Sequence, residues 1–424
     1  KQNQYRKDID GLRAFAVLSV VGFHVAPSHL KGGFLGVDVF FVISGFLITK
    51  ILIREMTCNT FSLVNFYQRR IIRIFPALLT VLFACLVMGW LLFPAGHFER
   101  LAKHIVASGF FASNFLLWSE AGYFDAVSIT KPLLHLWSLA VEEQFYVFWP
   151  LVLMSFWFLG LNILTFCTLL LLSSFLVASV TAYASNVAFF YSPITRAWEL
   201  LAGGMLATIY ASKQSKLSIS FHWINIRLNQ IIFEEDKRHF NSLHNLSSLL
   251  GLALVALGFY TIQTGASFGP HVAFLVVAGS CMIIGSGSNA VINKYLFSSK
   301  VAVLLGLISY PLYLWHWPLL SLAAYINLPS SSEIPIILVA LILSWGTFRY
   351  IETPIRKQKN KKKPALLLIV GMLSLPLLGY TVLVEDGFPK RIAEPQGLFN
   401  YYGSFKQHEY VDYSWCDGAP SVDD

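Results

Sequence analysis

The chain has 424 residues, of which 56% are hydrophobic and only 13% are charged, and its mean hydropathy is +0.61. This composition excludes an ordinary soluble domain and indicates a protein that crosses the membrane several times. The formal net charge of +8 does not indicate nucleic-acid binding, because the chain has no known binding motif and its basic clusters flank apolar segments.

Apolar segments of about the length that a helix needs to cross a bilayer recur along the chain. Their approximate bounds are 11–27, 36–53, 75–93, 141–159, 161–183, 194–211, 247–264, 270–287, 301–323, 334–351 and 365–384. We therefore predict an all-α, polytopic membrane bundle of about eleven transmembrane helices, with a cytoplasmic N-terminus and a periplasmic C-terminus. The distribution of charge supports this orientation, since twenty basic residues lie in the segments placed inside and seven in those placed outside. A further patch at about 104–118 is interrupted by polar residues, and we expect it to lie in or re-enter the membrane.

The first apolar segment contains Arg13 and His24, which are eleven residues apart. This spacing is close to a whole number of helical turns, so the two side chains share one helix face about 16 Å apart along the axis. An ionisable group within a span is a functional hypothesis by default. The structural alternatives are a histidine that bonds a neighbouring carbonyl and an arginine that extends to the headgroups. In the next segment, Ser44 and Gly45 would let a helix or a narrow ligand approach closely.

Arg69, Arg70 and Arg73 lie where the second cytoplasmic segment enters the third span. They suit a site that holds a phosphate, because the planar fork of arginine binds phosphate in a bidentate manner. Anchoring to lipid headgroups explains them equally well. Further along, Glu142 and Glu143 point about 100° apart on a helix, so at least one is expected to face the interior or a polar cavity.

Two later motifs place polar groups inside apolar segments. Arg196 and Glu199 are three residues apart and predict a structural salt bridge within the sixth span. The WHWP motif at 315–318 in the ninth span combines aromatic rings with a helix-kinking proline, which indicates an interface or a shaped pocket. Its histidine, His316, is a second-rank catalytic candidate.

Five of these segments together resemble the membrane domain of acyltransferase family 3. They are DGLRAFAVLSVVGFH from Asp10, GVDVFFVISGFLI from Gly36, RRIIRIFPAL from Arg69, HLWSLAVEEQFY from His135 and SYPLYLWHWPL from Ser309. The resemblance covers residues 5 to about 355 in the expected order, and it is strongest to bacterial members that O-acetylate lipopolysaccharide O-antigen. It implies an inner-membrane enzyme without a bound cofactor or metal, which takes acetyl from cytoplasmic acetyl-CoA. The implied acceptor is a hydroxyl of a lipid-linked or lipopolysaccharide O-antigen glycan.

Three groups of site residues follow under this interpretation. An imidazole titrates near neutrality, so His24 is the predicted general base for the sugar hydroxyl, with Arg13 holding or steering the donor. The catalytic group is His24, Arg13 and Asp10; the donor-binding group is Arg69, Arg70, Arg73 and Ser44; the acceptor-side or supporting group is Asp38, His135, Trp137, Glu142, Glu143, Tyr146 and His316.

The predicted organisation has three parts. Residues 1–355 would form the acyltransferase domain with ten transmembrane helices, 356–384 a basic cytoplasmic linker with one more helix, and 385–424 a periplasmic linker. That linker resembles the one leading to a periplasmic SGNH domain in fused family members, but no Gly-Asp-Ser nucleophile block follows. We therefore expect a fragment, or a protein without that domain. Two other functions stay open: a transporter of acyl groups or lipid-linked sugars that makes no bond itself, and an acyltransferase for another glycan or acyl group such as succinyl.

Overall fold

A computed structural model describes residues 5–121, 128–211 and 242–391, and within these ranges the chain is helical and contains no strand. The α-helices are α1 (Lys7–Val25), α2 (Gly36–Thr57), α3 (Leu63–Leu92), α4 (Ala95–Gly109), α5 (Ser113–Glu120), α6 (Leu136–Phe158), α7 (Ile163–Ala184), α8 (Asn186–Tyr191), α9 (Pro193–Ala211), α10 (Ser242–Gln263), α11 (Pro270–Ser286), α12 (Lys300–Leu307), α13 (Ser309–Tyr325), α14 (Glu333–Gly346), α15 (Thr353–Lys357) and α16 (Lys362–Val384). The all-α prediction is confirmed for these ranges. Most of the predicted periplasmic linker, from 392 to 424, lies outside them.

Six helices of the described chain are long and apolar enough to cross a membrane. They are Lys31–Thr57, Leu63–Leu92, Ile163–Ala184, Ser242–Gln263, Glu333–Lys357 and Lys362–Val384. A seventh is obtained if α12 and α13, which meet at a bend, are counted as one span. The structure therefore indicates a multi-pass membrane protein, but it does not confirm the predicted eleven crossings or the side of either terminus.

The other predicted spans correspond to helices that are short or carry charge. Helix α11 has 17 residues, whereas α1, α6 and α9 are longer but contain acidic or basic side chains. Several of these groups are buried, with exposed fractions of 2% for Asp8, 1% for Arg196 and 0% for Glu199. A charge inside a helical bundle is costly unless it is paired. The buried charges therefore mark α1 and α9 as candidate positions for a site.

Two predicted segments are interrupted in the structure. The patch at 104–118 falls on α4 and α5, of 15 and 8 residues, which are joined by a turn in which Phe111 has a φ of 52°. Neither helix is long enough to cross a bilayer, which agrees with the prediction that this patch is not a complete span. The ninth predicted span breaks at Ile308, between α12 and α13. At Pro318, where a kink was predicted, α13 continues.

The described chain divides into two compact units. The first comprises Lys1–Phe61, Gln144–Ala184 and Pro193–Tyr310. Within it α2 packs along α9, and α10 packs along α11. Gly45 permits the first of these contacts, because a Cβ added there would lie 1.8 Å from the carbonyl oxygen of Leu200. The close approach predicted at this position is therefore an approach of two helices.

The second unit comprises Ser62–Glu143, Ser185–Ser192 and Pro311–Asp424. Within it α16 packs against α3 and α4. Both units are discontinuous in the sequence, because each is assembled from three separate segments of the chain. The functional boundaries proposed at 355 and 384 stay a prediction.

A tight turn fastens the chain after α16 to the end of α3, and we call Asp386–Arg391 the clamp. Its first three residues have left-handed backbone angles, with φ of 48°, 73° and 56°, and Gly387 lies so close to Ala95 that a Cβ would be 2.1 Å from its carbonyl oxygen. Arg391 then donates hydrogen bonds to the carbonyl oxygens of Gly89 (3.3 Å) and Phe93 (2.5 Å). Its guanidinium also lies against two rings, those of Trp90 at 4.9 Å and Phe98 at 4.7 Å.

Candidate active site

The predicted site residues are divided between the two units. The first unit holds Asp10, Arg13, His24, Asp38, Ser44 and Tyr146, and the second holds Arg69, Arg70, Arg73, His135, Trp137, Glu142, Glu143 and His316. The structure thus defines two sets of candidate residues, one in each unit.

Arg13 is paired with a carboxylate of its own helix. Its Nη1 lies 3.7 Å from Oδ1 of Asp10, one turn earlier on α1. Tyr5 donates a hydrogen bond from its hydroxyl group to the other oxygen of the same carboxylate. Two members of the predicted catalytic group therefore form one ion pair, which neutralises the arginine and fixes its position near the start of α1.

His24 lies in the last turn of α1, and its ring is partly buried beside Phe23 at a centroid distance of 5.1 Å. Because α1 runs without a break from Lys7 to Val25, the predicted common face of Arg13 and His24 is retained. The last turn of a helix carries partial negative charge on its carbonyl groups. An imidazole placed there is well suited to accept a proton.

A buried cluster joins α2 to α9 through Asp38, Arg196 and Glu199. Nη2 of Arg196 bonds Oδ1 of Asp38, and Nη1 lies 3.2 Å from Oε1 of Glu199. The predicted pair of Arg196 and Glu199 is confirmed, and Asp38 completes it from another helix. Arg196 thus forms ion pairs with two buried carboxyl groups, one on its own helix and one on α2. These contacts between helices are explained by a structural role.

Three other predicted residues are buried, with exposed fractions of 8% for Ser44, 7% for Trp137 and 6% for Tyr146. The Trp137 ring packs against Phe190 and Tyr191, at centroid distances of 4.4 and 5.9 Å. Aromatic packing of this kind accounts for Trp137 without a ligand. Its assignment to the acceptor side stays a prediction.

In the second unit, the three predicted phosphate-binding arginines lie on α3 and are partly buried. The guanidinium of Arg70 lies 5.8 Å from the ring centroid of Phe66. Glu143 is 6% exposed, and its carboxyl group is close enough to Arg70 and Arg73 to interact with their charges. The structure therefore places two predicted donor-binding residues and one acceptor-side residue within electrostatic range of each other.

His135 and His316 also meet in the second unit. Their ring centroids are 5.6 Å apart, and the exposed fractions are 3% and 0%. The hydroxyl of Tyr313 donates to the carbonyl oxygen of His135 over 2.7 Å. The same hydroxyl lies 2.6 Å from that of Ser138. Because the Tyr313 proton is already used, Ser138 is the donor in this second bond. Nδ1 of His316 lies 3.1 Å from the carbonyl oxygen of Leu312, which only accepts; Nδ1 therefore carries a proton and Nε2 holds the lone pair of the neutral ring.

Sequence patterns did not predict one cluster, which we call the Glu120 cluster: Lys103, His104, Glu120 and Lys131. The Glu120 carboxylate lies 3.2 Å from Nε2 of His104, 3.3 Å from Nζ of Lys131 and 3.8 Å from Nζ of Lys103. Burial raises the pKa of Glu120, but the His104 hydrogen bond and the Lys131 charge outweigh it and lower this pKa to about 2. The only signal in the sequence was the polar interruption of the apolar patch at 104–118.

Metal ligation is a separate question for these clusters. In the ranges that the structure describes, no three His, Cys, Asp or Glu side chains are placed to hold a metal ion. Both units contain imidazole, carboxyl and guanidinium groups, which can transfer protons and bind anions.

Comparison with known proteins gives a consistent result. A family model described as an acyltransferase domain matches residues 6–349. The peptidoglycan O-acetyltransferase OatA of Listeria monocytogenes is 33% identical over 365 residues, which are 84% of this chain and 56% of that protein. The O-acetyltransferase OatA of Staphylococcus aureus is 31% identical over 423 residues, which are 96% of this chain and 65% of that protein. This chain thus spans between about half and two thirds of these relatives, and no solved structure matches it. Because the family model matches residues 6–349 of the 424, the chain belongs to acyltransferase family 3.

Proposed function

We propose that this chain is an O-acyltransferase of the bacterial inner membrane that transfers acetyl from cytoplasmic acetyl-CoA to a hydroxyl of a periplasmic glycan. The observation that carries the proposal is the family match over residues 6–349, together with relatives whose names describe O-acetyltransferases. The apolar helices support the membrane part of the proposal.

In the proposed reaction the glycan hydroxyl oxygen attacks the thioester carbonyl of acetyl-CoA. An oxygen–carbon bond forms, the carbon–sulfur bond breaks, and the coenzyme A thiolate leaves. His24 takes the hydroxyl proton and passes it to the thiolate, so the products are an O-acetyl ester and coenzyme A. The end of α1 supports this role, because its partial negative charge stabilises the imidazolium while the proton is held.

The donor is proposed to bind through Arg69, Arg70 and Arg73. Guanidinium groups on one helix offer bidentate hydrogen bonds to the phosphates of coenzyme A. Glu143 lies near Arg70 and Arg73, so it would keep their side chains ordered when no donor is bound. Arg13 is already paired with Asp10. We therefore propose that it orients the donor and does not neutralise the donor's phosphates.

Two acceptors are supported by different observations. The sequence motifs favour a lipid-linked or lipopolysaccharide O-antigen sugar, whereas the name of the Listeria relative favours peptidoglycan. Both glycans present hydroxyl groups outside the inner membrane, so the same chemistry serves either one. A periplasmic SGNH domain is proposed as a further partner, as in the fused family members that this chain resembles.

The experiment that tests this proposal is an ester analysis of the host's envelope glycans. Peptidoglycan and lipopolysaccharide are isolated separately from cells with and without the gene, and O-acetyl groups are released by mild alkali and quantified. Loss of acetate from one fraction supports the proposal and identifies the acceptor. Unchanged acetate in both fractions would show that the proposal is wrong. A transporter is distinguished with the purified chain, because only an acyltransferase releases coenzyme A thiol in step with glycan ester.

A further inference from the structure

The Glu120 cluster lies outside the residues that the proposed reaction uses. His104 is on α4, Glu120 ends α5, and Lys131 precedes α6, all within the second unit. In the predicted topology this part of the chain lies between the third and fourth spans and faces the periplasm. That is the side on which the acceptor glycan is found.

The hydrogen bond to Glu120 fixes the tautomer of His104. A carboxyl group with a pKa of about 2 is ionised at neutral pH and only accepts, so Nε2 of His104 must be the donor over the 3.2 Å contact. The lone pair of the neutral imidazole is therefore on Nδ1. This nitrogen is fully buried and has no hydrogen-bond partner, and the residue is 3% exposed.

Neighbouring hydroxyl groups do not satisfy this nitrogen. One turn further on α4, the Ser108 hydroxyl donates to the carbonyl oxygen of His104 over 2.7 Å, and it lies 3.0 Å from the hydroxyl of Ser113. Ser113 is therefore the donor in that pair, and both protons are used. A buried acceptor without a partner is unfavourable, and an external donor would relieve it.

The cluster reaches the surface at two of its members. The Lys103 side chain is 54% exposed and that of Glu120 is 19% exposed, whereas those of His104 and Lys131 are 4% and 8% exposed. A polar ligand arriving from outside thus meets Glu120 first, and this carboxylate is bonded to His104. A ligand that satisfies Nδ1 must carry a hydrogen-bond donor. The phosphate oxygens of acetyl-CoA only accept, so they do not match this lone pair.

We propose that His104 binds the acyl acceptor: its Nδ1 accepts a hydrogen bond from a hydroxyl group of the glycan. Glu120 is a positioning residue that holds the ring in the required tautomer, and Lys131 holds Glu120. This inference rests on the proposed function and deepens it, since it assigns a residue to the glycan that is distinct from the base His24 and from the donor-binding arginines.

Three variants separate this role from a structural one. In His104→Gln the side-chain amide N–H replaces Nε2 and still bonds Glu120, but no acceptor remains at the position of Nδ1. Glu120→Gln keeps one oxygen that accepts from Nε2, removes the charge and replaces the other oxygen by an N–H donor. The matched control is Lys103→Met, which removes the exposed charge of the same cluster and leaves the His104–Glu120 bond in place.

The measurement uses membrane vesicles that contain the full chain and the host's own envelope glycan. Binding of labelled acetyl-CoA and incorporation of the label into glycan ester are determined in parallel. For His104→Gln we expect donor binding within about twofold of the wild type and glycan acetylation reduced about 5- to 10-fold, the effect of one lost hydrogen bond. Lys103→Met should match the wild type in both. The double variant His104→Gln/Glu120→Gln should acetylate no less than His104→Gln alone, because Glu120 acts only through His104.

Two results would overturn the inference: normal acetylation by His104→Gln, or an equal loss of donor binding and acetylation, which would make the cluster structural. An additive loss in the double variant would remove the positioning role of Glu120. Failure of the proposed function would give a different result from failure of this inference. In that case even the wild-type vesicles would bind acetyl-CoA without forming any glycan ester.

Discussion

His24 and Arg13 share one helix, and their surroundings support different proposed roles. Arg13 is held by Asp10 one turn away, so its charge is compensated within α1. His24 lies in the last turn, beside carbonyl groups with partial negative charge. We propose on this basis that Arg13 orients a ligand and that His24 moves a proton.

Replacing His24 by alanine should therefore abolish acyl transfer without preventing membrane insertion. Loss of a general base typically lowers the rate by about 100- to 10,000-fold. The measurement is O-acetyl ester in the envelope glycans, with acetyl-CoA binding as a test of folding. His29→Ala is the matched control, because His29 is exposed in the loop after α1 and its side chain contacts the neighbouring hydroxyl of Ser28. Ester formation at the wild-type level in His24→Ala would return His24 to a structural role.

Arg73→Ala should weaken the binding of acetyl-CoA about 10- to 100-fold, the range for a lost hydrogen bond to a charged group. Arg73→Lys should restore only part of the affinity, because lysine keeps the charge but loses the bidentate fork. Labelled acetyl-CoA binding to oriented vesicles measures both, and Lys359→Ala, which removes one exposed basic charge, is the control. Binding that is unaltered in Arg73→Ala, or that occurs only from the periplasmic face, would contradict the proposed donor site.

At the level of single residues, the sequence predicted pairs that lie within one helix. The three-residue spacing of Arg196 and Glu199 was enough to predict their ion pair, and the eleven-residue spacing placed Arg13 and His24 on one face. Asp38 could not be added to the first pair, because it comes from a helix 158 residues away in sequence. The Glu120 cluster was missed for the same reason, since its members come from different segments of the chain and no helical period relates them.

At the level of helices, hydropathy located the segments but did not settle how many of them cross the membrane. A helix that contributes buried charge, such as α9 with Arg196 and Glu199, is less apolar than one that only faces lipid. Sequence also placed the kink of the ninth segment at Pro318, whereas the break is at Ile308. There the Ser309 hydroxyl bonds the carbonyl oxygen of Gly306, a local side-chain bond that competes with helix continuation.

The clamp after α16 is expected to limit local opening of the chain. Arg391→Ala removes two hydrogen bonds to the carbonyl groups at the end of α3, together with the contact with two aromatic rings. Bonds from a charged donor contribute about 1.5 to 3 kcal/mol each when well buried, so local opening of this partly exposed turn should become about 10-fold more frequent or greater. Amide hydrogen exchange at Gly387 and Phe388 measures it. Lys390→Ala, an exposed neighbour, is the control, and unchanged exchange in Arg391→Ala would show that the turn is held by its backbone alone.

For the whole molecule, orientation in the membrane depends on the distribution of basic residues and not on any single contact. Twenty lie in segments predicted inside and seven in segments predicted outside. The largest group, six residues from Arg356 to Lys363, lies at the start of α16, whereas the described chain after α16 has only Lys390 and Arg391. The distribution of basic residues therefore predicts that α16 begins on the cytoplasmic side.

Reporter fusions made after Lys363 and after Asp386 should therefore report opposite sides of the membrane, cytoplasmic for the first and periplasmic for the second. The helix between them has 23 residues, enough to cross the hydrocarbon layer, and it is one of the helices apolar enough to do so. A fusion after Thr57, at the predicted cytoplasmic end of α2, is the control and should report the same side as the fusion after Lys363. Two fusions on one side would show that α16 does not cross the membrane. Opposite sides in the reverse order would show that the basic cluster does not set the orientation, and the donor site proposed at Arg69 to Arg73 would then face away from acetyl-CoA.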